Sequence, residues 1–229
     1  MANIINIETS TEVCSAALSQ DGMVLCHHED YEGRNHAKLL SVFLEDIMSY
    51  VRSREIKIDA VAVSIGPGSY TGLRIGLSEA KGLAFGLGVP LIGVNSLQLI
   101  AVAAMFSRFI EDKVLYVPMI DARRMEVYTA AYDTALSEHL APTAMIVDED
   151  SFGELRERGK LMLCGNGSEK TKEVWKHKNI AYIDDIRPTA VDMIALSELA
   201  YRKSEFIDVA YSTPLYIKEY DAKKPQKPF

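Results

Sequence analysis

Residues 66–76, Gly66-Pro67-Gly68-Ser69-Tyr70-Thr71-Gly72-Leu73-Arg74-Ile75-Gly76, restrict this chain more than any other stretch. The run before them (Ile58, Ala60, Val61, Ala62, Val63, Ile65) is short, apolar and β-branched, the pattern of a strand covered on both faces. The chain then breaks: Gly66 and Gly68 can take positive φ, and Pro67 fixes its own. Ser69 or Thr71 can cap a helix that continues to about residue 86. Along that helix every fourth residue is small: Gly72, Gly76, Ala80 and Ala84. Each glycine costs a helix interior about 1 kcal/mol against alanine, so two near its start imply close approach of another backbone. Two readings follow. One is a tight turn feeding a helix packed on its own sheet. The other is an anion site at a helix N-terminus, although no Gly-Lys-Ser/Thr follows and a P-loop is excluded.

The 229 residues suffice for one large domain or two small lobes. A formal net charge of -7 argues against a chain that grips nucleic acid by itself. Cys14, Cys26 and Cys164 are odd in number and show no metal-type spacing; with no signal peptide evident, this fits a reducing cytoplasm. No apolar run is long enough to span a membrane.

The chain opens as a predicted meander: a strand over 3–7, the turn Glu8-Thr9-Ser10-Thr11, a strand over 13–19, the hairpin signal Asp21-Gly22 and a third strand over 23–29. The first turn reads either as a polar hairpin loop or as a phosphate cradle of hydroxyls and N–H groups, with Glu8 handling a metal or water. His27, His28 and His36 make no convincing metal set, since adjacent strand residues face opposite sides. Asn35 is expected to cap a helix with Leu39, Leu40, Phe43, Leu44, Ile47, Met48 and Val51 in a stripe broader than one sheet needs, the excess being available to a partner. A strand over 91–94, a helix from Asn95-Ser96 to about 109, and strands over 114–120 and 126–132 follow. Ile7-Glu8 with Ala16-Ala17, and Ile120-Asp121 with Ala130-Ala131, suggest two lobes of similar plan. Beyond a polar stretch the pattern predicts a helix over 151–158, a strand over 161–164, the turn Gly165-Asn166-Gly167, a helix over 169–177 and a strand over 180–183. A last helix runs from Pro188 to about 202, and the tail from 219 is Lys- and Pro-rich and expected to be loose.

Residues 66–76 with Ala80-Lys81-Gly82-Leu83-Ala84 closely resemble the signature of the TsaB (YeaZ) family of bacteria. The opening Ile7-Glu8-Thr9-Ser10-Thr11 is similar to its Asp-Thr-Ser/Ala-Thr turn. Arg34 and His36, Asp121-Ala122-Arg123, Glu126-Val127-Tyr128, the Gly-Asn-Gly turn and Pro214-Leu215-Tyr216-Ile217-Lys218 also fit. Glu8 for aspartate, Ala37 for serine and Lys218 for arginine depart from the pattern.

The resemblance implies an α/β, two-lobed actin/Hsp70/sugar-kinase-like (ASKHA) fold of mixed sheets flanked by helices, divided into 1–109 and 110–229. It implies a non-catalytic subunit for tRNA N6-threonylcarbamoyladenosine (t6A) modification that pairs with a TsaD-like transferase, with a TsaE-like ATPase joining. It further implies homodimers when the chain is alone, while the acidic charge leaves tRNA contact to the complex and the cysteine usage fits a cytoplasmic setting. The transferase carries Asn-His-x-x-x-His as a metal site; here Ser96 and Ile100 stand at the histidine positions, and neither suits such an ion. No metal and no intrinsic cofactor are expected, ATP or ADP with Mg²⁺ being admitted only at a site shared with partners. The loops for it are Glu8, Thr9, Ser10, Thr11, Gly66, Gly68, Ser69, Asp121, Gly165 and Gly167. The expected partner face is His36, Leu40, Phe43, Leu44, Ile47, Gly72, Leu73, Gly76, Leu77 and Ala80.

The competing reading is a free-standing ATP-dependent phosphotransferase or M22-like peptidase. Phosphoryl transfer needs a carboxylate for Mg²⁺ and a donor-rich loop, which Glu8, Asp121 and the three turns could supply. A peptidase needs a zinc site or a paired nucleophile, and the sequence offers neither.

Overall fold

The computed structural model describes residues 2–33, 35–107, 113–175 and 179–218. The first sheet holds β1 (Asn3–Glu8), β2 (Cys14–Gln20), β3 (Met23–Asp30), β4 (Ala60–Gly66) and β5 (Leu91–Asn95) in the order β3-β2-β1-β4-β5. The second holds β6 (Val114–Asp121), β7 (Glu126–Tyr132), β8 (Glu138–Ile146), β9 (Lys160–Cys164) and β10 (Ile180–Ile183) in the order β8-β7-β6-β9-β10. In each, three strands form an antiparallel meander and two more continue in parallel from the first of them. The two lobes therefore repeat one plan.

Their registers match at the acidic residues, Glu8 opposite Ser15 and Asp121 opposite Val127. The paired alanines do not match. Ala16 and Ala17 face Ile7 and Asn6, whereas the corresponding Ile120 and Met119 face Tyr128 and Thr129. The alanine correspondence expected from sequence is thus displaced by a strand repeat.

Helices α1 (His36–Ser53) and α2 (Tyr70–Leu87) cover one face of the first sheet. Leu40, Leu44, Ile47, Leu77 and Ala80 pack there with Ile5, Ile7, Ala16, Val61 and Val63. Helix α3 (Ser96–Ser107) lies between the sheets: Leu99 and Val102 join the first core, while Leu97, Ile100, Ala101 and Ala104 join the second. A helix buried on both sides is apolar nearly all round, as 97–105 is apart from the half-buried Gln98. Asn95 caps it, its Oδ1 accepting from Leu97 N at 2.9 Å and Gln98 N at 3.3 Å.

After β10 the chain returns to the first sheet. Met193 and Leu196 join the core of Ile4, Ala60 and Ile92, with Leu196 on α5 (Ile194–Lys203). Ala190 N donates to Ser15 Oγ at 2.8 Å, Ile207 N to Leu91 O at 2.8 Å and Leu215 N to Ile65 O at 2.7 Å. The expected division at 109/110 lies outside the described residues.

Several expected elements differ. The polar stretch before 151 contains β8, an edge strand whose exposed residues and Pro142 hide its pattern. The helix expected over 169–177 is only a 3₁₀ turn, Glu169–Thr171, and 176–178 lie outside the described residues. The last helix starts at Ile194, not at Pro188, because the Asp192 carboxylate holds Thr189 N (2.8 Å) and Oγ1 (2.9 Å) in a turn. Asn35 stands at the N-cap of α1 without a side-chain cap bond. Arg34, the expected end of the third helix near 109 and the tail from 219 also lie outside the described residues. Among those described, no helix is long and apolar enough to cross a membrane.

Candidate functional site

The lobes face each other across a cleft of about 960 Å³ at the carboxyl ends of β1, β4, β6 and β9. Ser10, Thr11, Glu12 and Gly68–Gly72 line it from the first lobe, Asp121, Arg123, Glu126 and Asn166 from the second, and Leu215–Lys218 from the returning chain.

The first turn faces inward. Glu8 is fully buried; its Oε1 accepts from Ser10 N at 2.5 Å, and its Oε2 and the Ser10 hydroxyl have no partner among the described residues. Burial pushes the Glu8 carboxyl up to about 7. Thr9 N donates to Ser64 Oγ at 3.4 Å, and Thr9 Oγ1 to Gly72 O at 2.9 Å.

The glycines of the motif serve that turn. A β-carbon on Gly68 would fall 2.3 Å from Ser10 O, one on Gly72 2.1 Å from Thr9 O and one on Gly76 2.2 Å from Thr9 Oγ1. Ser69 N donates to Ser10 O at 2.7 Å, and Ser69 Oγ caps α2 by accepting from Gly72 N at 3.2 Å. Of the two readings of residues 66–76, the geometry favours a tight turn packed against its own lobe. Gly66, at φ +116°, meets the returning chain instead: its β-carbon would lie 2.8 Å from Leu215 O.

The second turn is clamped. Asp121 accepts from Arg123 N at 3.0 Å and pairs with the Lys170 ammonium, which also donates to Glu126 O at 2.6 Å. Asn166 Oδ1 accepts from Asp121 N at 3.0 Å, and its Nδ2 crosses the cleft to Glu12 Oε2 at 3.2 Å. Gly165 and Gly167 let this turn lie against β6, their β-carbons falling 2.5 Å from Met119 O and 2.8 Å from Ile120 C. Arg123 and Arg124 hold consecutive positive φ, 72° and 50°, at the cleft mouth. Lys170, Glu12 and the bridging role of Asn166 carried no signal in the sequence, because each acts through a contact distant along the chain.

These residues do not fit a Mg²⁺–phosphate cradle. The Thr9 and Ser10 N–H groups are engaged, Glu8 is sealed behind the turn and Asp121 is paired with a lysine. Among the described residues, no three His, Cys, Asp or Glu side chains are placed to hold a metal ion. Ser96 and Ile100 are buried in α3, and an Ile100 methyl lies 3.2 Å from where a Gly165 β-carbon would stand.

The expected partner face is largely internal. Leu40, Leu44, Ile47, Gly72, Leu73, Gly76, Leu77 and Ala80 are buried within the chain. His36 is half-buried with its Nε2 at 3.1 Å from Thr11 O, and Phe43 stacks on His28 at 5.3 Å. The first sheet and α2 take up much of the broad stripe of α1, with Leu39, Phe43 and Met48 left half-buried. Among the residues that α1 and α2 expose are Val42 (47 % exposed), Ser78, Gly82 and Phe85 (82 % exposed), together with the charged Lys38, Glu45, Asp46 and Arg74, and Ser41 Oγ donates to Glu79 Oε1 at 2.8 Å between the helices. Gly82 and Gly86 have open space where a β-carbon would stand.

Two lobes of one plan, each a mixed sheet with flanking helices, joined across a cleft at their strand ends, define a protein of the ASKHA class. The family described as "TsaD: tRNA N6-adenosine threonylcarbamoyltransferase" matches residues 26–224. The chain is 31% identical to the tRNA threonylcarbamoyladenosine biosynthesis protein TsaB of Escherichia coli, over 94% of each chain. It is 28% identical to that of Haemophilus influenzae, over 94% of this chain and 93% of the other. The solved structure of YeaZ from Pseudomonas aeruginosa superposes with a TM-score of 0.79 at 26% identity, covering 94% of this chain and all of that one. The chain belongs to the TsaB (YeaZ) family.

Proposed function

We propose that this chain works in tRNA t6A biosynthesis as a non-catalytic subunit that pairs with a TsaD-type transferase. Its pathway is that of the TsaB proteins it matches along nearly its whole length. The observation that carries the non-catalytic reading is the state of the cleft carboxylates: Glu8 is sealed and Asp121 is clamped by Lys170. Of the two acids that would place a metal for phosphoryl transfer, one is thereby shut away from the cleft and the other is held by a lysine. Ser96 and Ile100, where the transferase carries histidines, are packed in α3 and support the same reading.

The docking face in this proposal is the outward side of α1 and α2. Ser78, Gly82 and Gly86 lie four residues apart and let a second helix pair come close, with Val42 and Phe85 beside them. The same face forms a homodimer when the transferase is absent. A TsaE-type ATPase joins the pair. The acidic chain leaves tRNA to its partners, and any nucleotide is held jointly with them, in the cytoplasm.

Co-purification with the transferase of the same cell tests this. Wild type and Asp121→Asn are expected to pair equally, and Gly82→Glu to lose pairing while melting like wild type. Metal-dependent ATP turnover by the isolated chain, abolished by Asp121→Asn, would overturn the non-catalytic reading.

A further inference from the structure

Residues 213–218 leave the first lobe, line the cleft and end on the second. On the first lobe the strap is pinned repeatedly. Leu215 N donates to Ile65 O at 2.7 Å, and the missing side chain of Gly66 makes room for Leu215 O. Tyr216 Oη accepts from Arg74 Nε at 2.9 Å, and its ring sits 5.5 Å from that of Tyr70. The Arg74 guanidinium lies 4.1 Å over the Tyr70 ring. On the second lobe, the Lys218 ammonium pairs with the Glu126 carboxylate at the start of β7.

We propose that this strap is an interlobe latch that holds the cleft at its present width and releases at the Lys218–Glu126 end. The two ends differ in strength. Leu215 is held by backbone against a glycine, whereas the Lys218 side chain is 52% exposed. An exposed ion pair such as Lys218–Glu126 favours a closed state by about tenfold at most. Such a clasp opens readily, which suits a gate rather than a weld. Glu126 stays in place, because its N–H donates to Arg123 O at 3.1 Å and its carbonyl accepts from Ala122 N and Lys170 Nζ. Lys218 is therefore the part that moves. Asn166 to Glu12 is a further tie across the cleft among the described residues, a bond of 3.2 Å. Opening uncovers Ser10–Glu12 and Asp121–Arg123 together. The latch is independent of the subunit role proposed above and stands whether or not the chain pairs with a transferase.

The test uses the full chain with Cys26→Ser and nitroxide labels at Ser49→Cys on α1 and Glu157→Cys on α4 (Gly153–Arg158), read by double electron–electron resonance. Hydrogen exchange at the Leu215 amide is read in parallel. Lys218→Glu is expected to shift the distance distribution to longer values while Leu215 exchange stays within about twofold of wild type, because that end remains pinned. The charge swap Glu126→Lys with Lys218→Glu is expected to restore the distance distribution. An unchanged distribution in Lys218→Glu overturns the latch, and so does a widening that the swap fails to reverse.

Discussion

Gly76 on α2 stands so close to Thr9 that a β-carbon there would fall 2.2 Å from the Thr9 hydroxyl oxygen. Gly72 repeats the contact against the Thr9 carbonyl, at 2.1 Å. The motif is glycine-rich because the helix start and the first turn occupy nearly the same space.

Gly72→Ala and Gly76→Ala therefore lose about 3 kcal/mol or more, since the intruding carbon meets a buried turn that cannot yield cheaply. Gly82→Ala, on the open side of the same helix, gains up to about 1 kcal/mol from helix propensity. Urea unfolding of the three variants checks this. Equal effects at Gly76 and Gly82 would contradict it.

Glu8 gives the chain a pH-dependent stability. Its carboxyl rises from 4.5 to about 7 by burial. Between those values the folded state holds a proton that the unfolded state has lost, so stability is full below pH 4.5 and falls as pH rises toward 7. The loss is about 3 kcal/mol. Burial raises the Asp192 carboxyl too, which acts in the same direction. Glu8→Gln keeps an acceptor for Ser10 N and is expected to match wild type near pH 4 and to melt several degrees higher at pH 8. Parallel melting curves for the two proteins across that range would contradict the buried-acid account.

The outward face separates assembly from folding. Leu40→Glu buries a charge in the core and is expected to unfold the chain, because Leu40 is fully covered. Val42→Glu and Gly82→Glu alter only exposed positions. They are expected to leave the melting temperature within a few degrees of wild type and to turn a homodimer into a monomer in analytical ultracentrifugation. Dimers persisting in both variants would place the interface elsewhere.

Much of this fold is legible in the sequence, because strand and helix periods are local. The β1–β3 meander, the hairpin at Asp21-Gly22, β4 and α2 all follow from such patterns. What stays hidden depends on contacts between distant residues. The glycines signal a close approach without naming Thr9, which lies on another strand end. The apolar band of α1 signals burial but not which neighbours share it, so its covered residues read as a partner face. The Lys170 clamp on Asp121 joins residues far apart in the chain within the second lobe, and the Asn166 bridge to Glu12 arises only when the two lobes meet. Edge strand β8 hides because none of its side chains is fully buried and Pro142 interrupts it.

The most direct measurement is nucleoside mass spectrometry of tRNA from cells depleted of this protein and then complemented. The account predicts that t6A falls on depletion and returns with wild type and with Asp121→Asn, but not with Gly82→Glu. Unchanged t6A in depleted cells that carry no second copy would contradict the role itself. Rescue by Gly82→Glu but not by Asp121→Asn would mean that the cleft, rather than the helix face, carries the function.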